Sequence, residues 1–333
     1  MLRAVRFWKG ILEILVAYRT QSRPPSTSKS FFSSHDVTLV VPTIDTDDKF
    51  SAALSSWLSC NPAEIIIVTT EQLRPKLEII ISQMIGTTKI RICTQPVPGK
   101  RALMIQGVLQ TRTRILVFVD DDVLFSPQSL EGLLSGFNDP EVGAIDTQQR
   151  VLASTLGKPL TLWETCAAAR SSRRNIINAT CAHFNNGQPI NITGRCAAYR
   201  TSILVDPTLR THFLEDFWRQ KYHLKSGDGD FLTTWVAQRG WKTYHQTGLE
   251  FEIATHVKPD WTYLRQLLRW SRNFARYFCR DVRFTVTQGR PRDYKRILLD
   301  ILSVYLTDLS IWCECLMVCV LLSALICGQE LSL

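Results

Sequence analysis

Residues 115–123 read Ile115-Leu116-Val117-Phe118-Val119-Asp120-Asp121-Asp122-Val123: five apolar residues, three of them β-branched, run straight into three carboxylates. An unbroken apolar run of this length is the pattern of a strand buried on both faces of a parallel sheet. Its C-terminal end then delivers acidic groups to the sheet edge, where open α/β sheets bind their ligands. Three adjacent carboxylates raise one another's pKa, so the arrangement is unfavourable without a cation among them. A hard divalent metal carrying a phosphorylated substrate satisfies the triplet. The bland alternative is a solvated turn in which one Asp caps a helix starting near Ser126-Pro127.

Outward from this strand, the chain from Asp36 to about Thr147 alternates apolar strands with amphipathic segments. Strands are predicted at Val37–Val41, Glu64–Val68, Lys89–Cys93 and Ile115–Val119, with helical patterns over 49–59, 73–84 and 100–111. This alternation predicts a mostly parallel sheet wrapped by helices. Residues 148–256 read as more irregular, with a helix near 230–239 ended by Gly240. A further helix from Trp261 to about Cys279 carries Arg265, Arg269, Arg272 and Arg276 on one face, which suits solvent, anionic lipid or a diphosphate.

At 333 residues the chain buries a sizeable core, and its formal net charge of +9 suits an anionic substrate, a membrane surface or nucleic acid, with sign alone unable to choose. Basic and aromatic residues are present without a motif of any nucleic-acid-binding fold, which argues against nucleic acid as partner. The ten cysteines are scattered, with no Cys-x-x-Cys pair, and read as reduced thiols of a cytosol-facing domain. Residues 7–18 are apolar but shorter than the about 20 residues of a spanning helix, and basic residues flank them, so an interfacial helix is expected. The Ser/Pro/Thr-rich stretch from Gln21 to Ser34 reads as a linker. Leu309–Cys327 is long enough to span a bilayer, although Glu314 interrupts it, and Ile297–Leu306 either lies in the interface or begins the span. The six Lys and Arg residues between Arg280 and Arg296 place the large domain in the cytosol.

Four further motifs accompany the triplet. Val40-Val41-Pro42-Thr43-Ile44-Asp45 ends the first strand in Pro-Thr. Pro98-Gly99-Lys100-Arg101 opens a helix with two cations, a favourable place for phosphate. Ser226-Gly227-Asp228-Gly229-Asp230-Phe231-Leu232 offers a second acidic pair. Gln266-Leu267-Leu268-Arg269-Trp270 sets Gln, Arg and Trp on one side of a helix.

With the Thr193-Gly194-Arg195 loop, these motifs stand in the order found in glycosyltransferase family 2, which the chain resembles over roughly residues 37–276. The resemblance is to the family's membrane polysaccharide synthases of hyaluronan, chitin and cellulose type. It is closest to the fungal synthases resembling hyaluronan synthase, through 193–201 and Gly240-Trp241-Lys242. It implies an α/β fold of GT-A type: a nucleotide-sugar-binding, Rossmann-like, mostly parallel sheet with flanking helices, followed by interfacial and transmembrane helices. The implied organisation is an N-terminal helix and linker over 1–35, a transferase domain over 36–280 and a membrane-associated segment over 281–333. The domain divides into a nucleotide-sugar-binding half (36–147) and an acceptor half (148–280).

The implied activity is inverting, metal-dependent transfer of a sugar from a UDP-sugar to a polysaccharide at the cytosolic face of a membrane, with membrane lipid as a further partner. Carried over by position, Asp122 and Asp120 would hold Mg²⁺ or Mn²⁺, with Asp120 also near the nucleotide-sugar. Thr43, Asp45, Lys100 and Arg101 would lie along the nucleotide. Gln266, Arg269 and Trp270 would close over the diphosphate, with Trp270 also facing the acceptor beside Thr193, Gly194 and Arg195. Asp228 would be the base that deprotonates the acceptor hydroxyl, with Asp230 as the alternate. The chain departs from the family pattern at Gly229, at Thr234 and at Thr70. These departures leave two other readings open, a lipid-linked acceptor and a catalytically impaired nucleotide-sugar-binding subunit. His183, His212, His223, His245 and His256 show no ligand spacing and are expected in structural or surface roles.

Overall fold

The computed structural model describes residues 2–21, 30–84, 89–96, 98–155, 157–258, 260–288, 297–298 and 301–302. The predicted alternation is present. After α1 (Leu2–Gln21) come β1 (Val37–Pro42), α2 (Phe50–Ser59), β2 (Glu64–Thr69), α3 (Arg74–Ser82), β3 (Ile90–Thr94), α4 (Lys100–Gln110) and β4 (Ile115–Val119). Strands β1, β2, β3 and β4 pair in parallel, with Val40 opposite both Ile66 and Phe118.

Strand parity sorts the core into two layers. Leu39, Val41, Ile65, Ile67, Val117 and Val119 face α2, α3 and α5 (Ser129–Ser135). Val40, Ile66, Val68, Leu116 and Phe118 face α4 and the later helices. Burying each such side chain is favourable by roughly 1.5–3 kcal/mol, so a one-residue slip of β4, which would exchange the layers, is strongly disfavoured. The same parity continues past the strand. Asp120 leans towards the α4 layer, as Leu116 and Phe118 do, and Asp121 towards the other.

The region read as irregular is more ordered than its sequence predicts. After β5 (Val123–Leu124) and β6 (Val142–Thr147), which precede it, this region supplies β7 (Gln149–Val151), α6 (Leu162–Phe184), β8 (Cys196–Arg200), α7 (Thr201–Leu204) and α8 (Pro207–Leu214). Then follow β9 (Phe217–Trp218), β10 (Tyr222–His223), α9 (Asp228–Gln238), β11 (Lys242–Gln246), β12 (Ile253–Thr255) and α10 (Thr262–Gln288). The main sheet has the order β11-β6-β8-β4-β1-β2-β3, with β8 antiparallel to both neighbours. Strands from both expected halves therefore share one sheet. Helix α6 was hidden by its weak periodicity, but its start is written in a capping box, in which Thr161 and Glu164 satisfy each other's backbone N–H groups.

Helix α1 packs on α6, burying Val16 and Ala17, and the Glu13 carbonyl accepts from the Thr180 hydroxyl at 3.3 Å. Of the linker expected from Gln21 to Ser34, residues 22–29 lie outside the described residues, as does the C-terminal stretch that includes Leu309–Cys327. No helix among the described residues is long and apolar enough to cross a membrane.

Candidate active site

The acidic triplet sits in a turn held on three sides. The Asp120 N–H donates to the Arg195 carbonyl at 2.7 Å, and the Val123 N–H donates back to the Asp120 carbonyl at 3.2 Å. Trp57 Nε1, from α2, donates to the Val123 carbonyl at 2.8 Å. β5 then pairs with β12, Val123 opposite Thr255, so the triplet is clamped between two ladders.

Each carboxylate meets a different neighbour. Asp120 Oδ1 lies 2.7 Å from Lys100 Nζ. Asp121 accepts from the Thr43 hydroxyl at the end of β1. Asp122 accepts from the Thr255 hydroxyl at 3.3 Å. Burial pushes the Asp120 carboxyl up to about 6, opposed by Lys100 and reinforced by Asp122 and Asp228. Burial pushes Asp121 up to about 7, opposed by the Thr43 hydrogen bond and reinforced by the charges of Asp120 and Asp122.

Lys100 joins motifs that are far apart in the chain. Its ammonium also lies 2.9 Å from Asp228 Oδ2 and donates to the Gly194 carbonyl at 3.0 Å. Burial alone would lower its pKa, but the charges of Asp120 and Asp228 outweigh that and raise it. Asp228 opens α9, where the helix dipole favours a carboxylate. The structure thus brings Lys100, Asp120, Asp228 and Gly194 together in one cluster.

Gly229 follows from the same packing. A Cβ at 229 would come within 2.7 Å of both the Gly194 nitrogen and the Ile192 carbonyl oxygen. Both are backbone atoms, so no side chain fits at the position where the second acid of the family pair falls in one register. Asp230 is turned elsewhere. Its Oδ1 accepts from Asn191 Nδ2 at 2.8 Å, and burial pushes its carboxyl up to about 6, opposed by Asn191 and reinforced by Asp228 and Asp281.

The 191–195 loop rests on a buried carboxylate that the motifs did not flag. Asp146 accepts from the Thr193 N–H at 2.9 Å and from Arg174 Nη2 at 3.0 Å, and pairs with His245 Nδ1 at 2.7 Å. Burial opposes ionisation of Asp146, but His245 and Arg174 outweigh it and hold the carboxyl below its ordinary value. The Thr193 hydroxyl accepts from the Arg195 N–H at 3.2 Å. The Trp270 ring lies beside two guanidinium groups, those of Arg195 at 5.2 Å and Arg170 at 5.4 Å. Trp270 therefore stands beside the Thr193–Arg195 loop, while Gln266 is half-buried and Arg269 is exposed on α10. Asp45 is exposed, and its carbonyl accepts from Thr43 at 2.9 Å. Arg101 is not brought to the cluster, because its guanidinium is buried among partners behind it.

The donor set fits a hard divalent cation. Carboxylate oxygens of Asp120 and Asp122 are the kind of ligand Mg²⁺ and Mn²⁺ take, and such ions bind through one or two carboxylates plus substrate phosphates. No group of three His, Cys, Asp or Glu side chains among the described residues forms a ready-made cage. His256, which follows Thr255, has a buried Nδ1 without a hydrogen-bond partner among the described residues. Burial and Lys49 lower its pKa, with Asp122 and Asp47 opposing, so a neutral imidazole stands near the carboxylates. Sequence reasoning passed over it because only the β5–β12 ladder brings it there.

The family model described as "Glycosyltransferase like family 2" matches residues 35–273. The chain is 34% identical over 261 residues to a type 2 glycosyltransferase of Gibberella zeae, covering 78% of this chain and 49% of that protein. It is 30% identical over 291 residues to the NDP-glycosyltransferase ltbB of Aspergillus luteorubrus, covering 83% of this chain and 69% of the relative. The chain spans about half the length of the type 2 glycosyltransferases it matches. Among solved structures it is similar to the mannosyltransferase PcManGT from Pyrobaculum calidifontis, in complex with GDP-Man and Mn²⁺. The TM-score is 0.65 at 16% identity, covering 99% of this chain and 88% of that one. That likeness is one of fold, a GT-A-like α/β sheet.

Proposed function

The chain belongs to glycosyltransferase family 2, and from this premise we propose that it catalyses inverting transfer of a sugar from a UDP-sugar, using Mg²⁺ or Mn²⁺. The single observation that carries the reading is Lys100, which ties Asp120, Asp228 and the Gly194 carbonyl into one cluster. Donor-side and base-side carboxylates are thereby a lysine's width apart.

In this reading the acceptor hydroxyl oxygen attacks the anomeric carbon as the bond from that carbon to the diphosphate breaks. Its proton passes to the Asp228 carboxylate. Lys100 offers positive charge at the departing diphosphate, and Arg269, exposed on α10, is free to close over it. Asp122 and Asp120 would hold the divalent ion, which supplies charge neutralisation for the leaving group. Trp270, beside Arg195, offers a ring face to the acceptor sugar.

The acceptor we favour is a polysaccharide, as in the family's hyaluronan-type synthases, at the cytosolic face of a membrane. Support for the membrane comes from α1, where Phe7, Trp8, Leu12 and Leu15 are each more than half exposed while Val16 and Ala17 pack on α6. The same surface favours a lipid-linked acceptor as the second reading.

The test is a screen of radiolabelled UDP-sugars on membranes containing the protein, with Asp122→Asn and Asp228→Asn as controls. Label in a polymer, lost in both variants, is the expected result. Label extracted into organic solvent assigns a lipid acceptor. UDP binding without turnover, unaffected by Asp228→Asn, overturns the reading in favour of a nucleotide-sugar-binding subunit.

A further inference from the structure

Arg101 follows Lys100 on α4 but meets different partners. Its guanidinium is buried and donates to the carbonyls of Phe213 and Ser226, each at 2.9 Å, to Asp216 Oδ2 at 3.0 Å and to the Tyr277 hydroxyl at 2.9 Å. The Gly227 carbonyl lies at 3.5 Å. The rings of Phe213 and Phe231 cover the cation at 4.8 and 5.4 Å. Asp216 in turn accepts from the Tyr277 hydroxyl and from Arg280 Nη1, the latter at 2.6 Å.

These partners converge on the segment that carries the base. Ser226 and Gly227 immediately precede Asp228, and Tyr277 lies on α10 two turns beyond Trp270. Gly227 has φ +80°, and a Cβ there would come within 2.9 Å of the Tyr277 ring, so the loop is pressed against α10. The Ser226 hydroxyl is held in addition by Asn273 Nδ2 at 3.0 Å. Neighbouring residues of α4 therefore hold the segment at two points: Lys100 holds the Asp228 carboxylate, and Arg101 holds the backbone before it.

We propose that Arg101 is a positioning residue: with Asp216 and Tyr277 it fixes the Ser226–Gly227 backbone so that Asp228 stands at Lys100, and it does not touch the donor. This role differs from the nucleotide contact that the family resemblance implies for it, and it rests on the reading of Asp228 as the base. Lysine cannot replace the fork, because an ammonium cannot hold two carbonyls, a carboxylate and a phenol in one plane. Tyr277→Phe removes a single hydroxyl from the hub and leaves the ring packing on Gly227.

The experiment compares Arg101→Lys, Tyr277→Phe and Asp228→Asn with the wild type, all as full chains. The donor is the UDP-sugar of highest turnover, and a UDP·Mn²⁺ thermal shift checks that each variant folds and binds nucleotide. Displacing a base by about 1 Å costs about 100-fold in rate. The expected kcat losses are accordingly about 100-fold for Arg101→Lys and about 10-fold for Tyr277→Phe. Donor KM should stay within about twofold, and the acid limb of the pH–rate profile should move in both variants. A raised donor KM at unchanged kcat would make Arg101 a donor ligand and overturn the proposal. Unchanged kcat and pH profile in folded Tyr277→Phe and Arg101→Lys would reduce the hub to a structural one and equally overturn it. Asp228→Asn separates the two levels. If it is inactive while the other variants keep wild-type kcat and pH profile, only the positioning role fails; if it keeps wild-type kcat, the base assignment fails and the positioning role falls with it.

Discussion

The ammonium of Lys100 stands 2.9 Å from the carboxylate of Asp228, although 128 positions separate them in the chain. The same ammonium neutralises Asp120. Lys100→Met would leave two carboxylates facing one another without a counter-charge. About a third of the lysine side chain is open to water, so the expected loss of stability is about 1–3 kcal/mol, below that of a fully buried pair. Chemical denaturation checks the first effect. Turnover should fall by more than about 100-fold, read as kcat on the folded variant.

Asp122 contacts the Thr255 hydroxyl, and no lysine among the described residues pairs with it as Lys100 does with Asp120. If it holds the divalent ion, UDP and Mn²⁺ together raise the melting temperature of the wild type more than either alone. Asp122→Asn should abolish that joint increment while leaving the melting temperature without ligand nearly unchanged. Differential scanning fluorimetry with the four ligand combinations is sufficient. An intact increment in the variant would move the ion elsewhere.

Gly229 should not tolerate the acid that family resemblance places there. A Cβ at this position meets two backbone atoms at 2.7 Å, which neither rotamer change nor side-chain movement relieves. Gly229→Asp is expected to destabilise the fold by about 1–3 kcal/mol or more and to lower turnover, not to restore it. Urea unfolding beside a turnover assay decides the matter.

Asp230 gives a prediction with a definite sign. Burial pushes its carboxyl up to about 6 in the fold, whereas an unfolded Asp has a pKa of about 4. Between these values the folded state binds more protons, so stability falls as pH rises through the window and the deficit persists above it. Asp230→Asn can keep the contact with Asn191 through its amide oxygen. It should raise stability at pH 7.5 by about 1–3 kcal/mol and flatten the slope between pH 4 and 6. Thermal unfolding across that range measures both.

Much of the fold is legible in the sequence because β1, β2 and β4 are buried on both faces and so read as apolar runs, while the half-buried edge strand β3 shows through Ile90 and Ile92 on either side of Arg91. Their ends matched the strands within about a residue. What escaped reading is the part whose stability comes from pairing rather than pattern. Strand β8 is short and mixed in character, and its place between β4 and β6 depends on partners 51 to 85 positions away, from Asp146–Ala197 to Ile115–Arg200. Of the candidate site, Asp120 was legible because carboxylates end an apolar strand, and Lys100 and Asp228 through the order of motifs that the family resemblance supplied. The Asp146–Arg174–His245 support was not, since each is a single polar residue whose partner only the sheet supplies. Arg101 shows a different difficulty. Two adjacent cations at a helix start look alike in sequence, but helical geometry sends one to the carboxylates and the other to the buried hub.

The most direct measurement is turnover of the preferred UDP-sugar by Asp228→Asn beside its affinity for UDP·Mn²⁺. With Asp228 as the base, affinity stays within a few-fold of the wild type while kcat drops by about 100-fold or more. Wild-type kcat in a variant that binds UDP·Mn²⁺ normally would contradict the assignment.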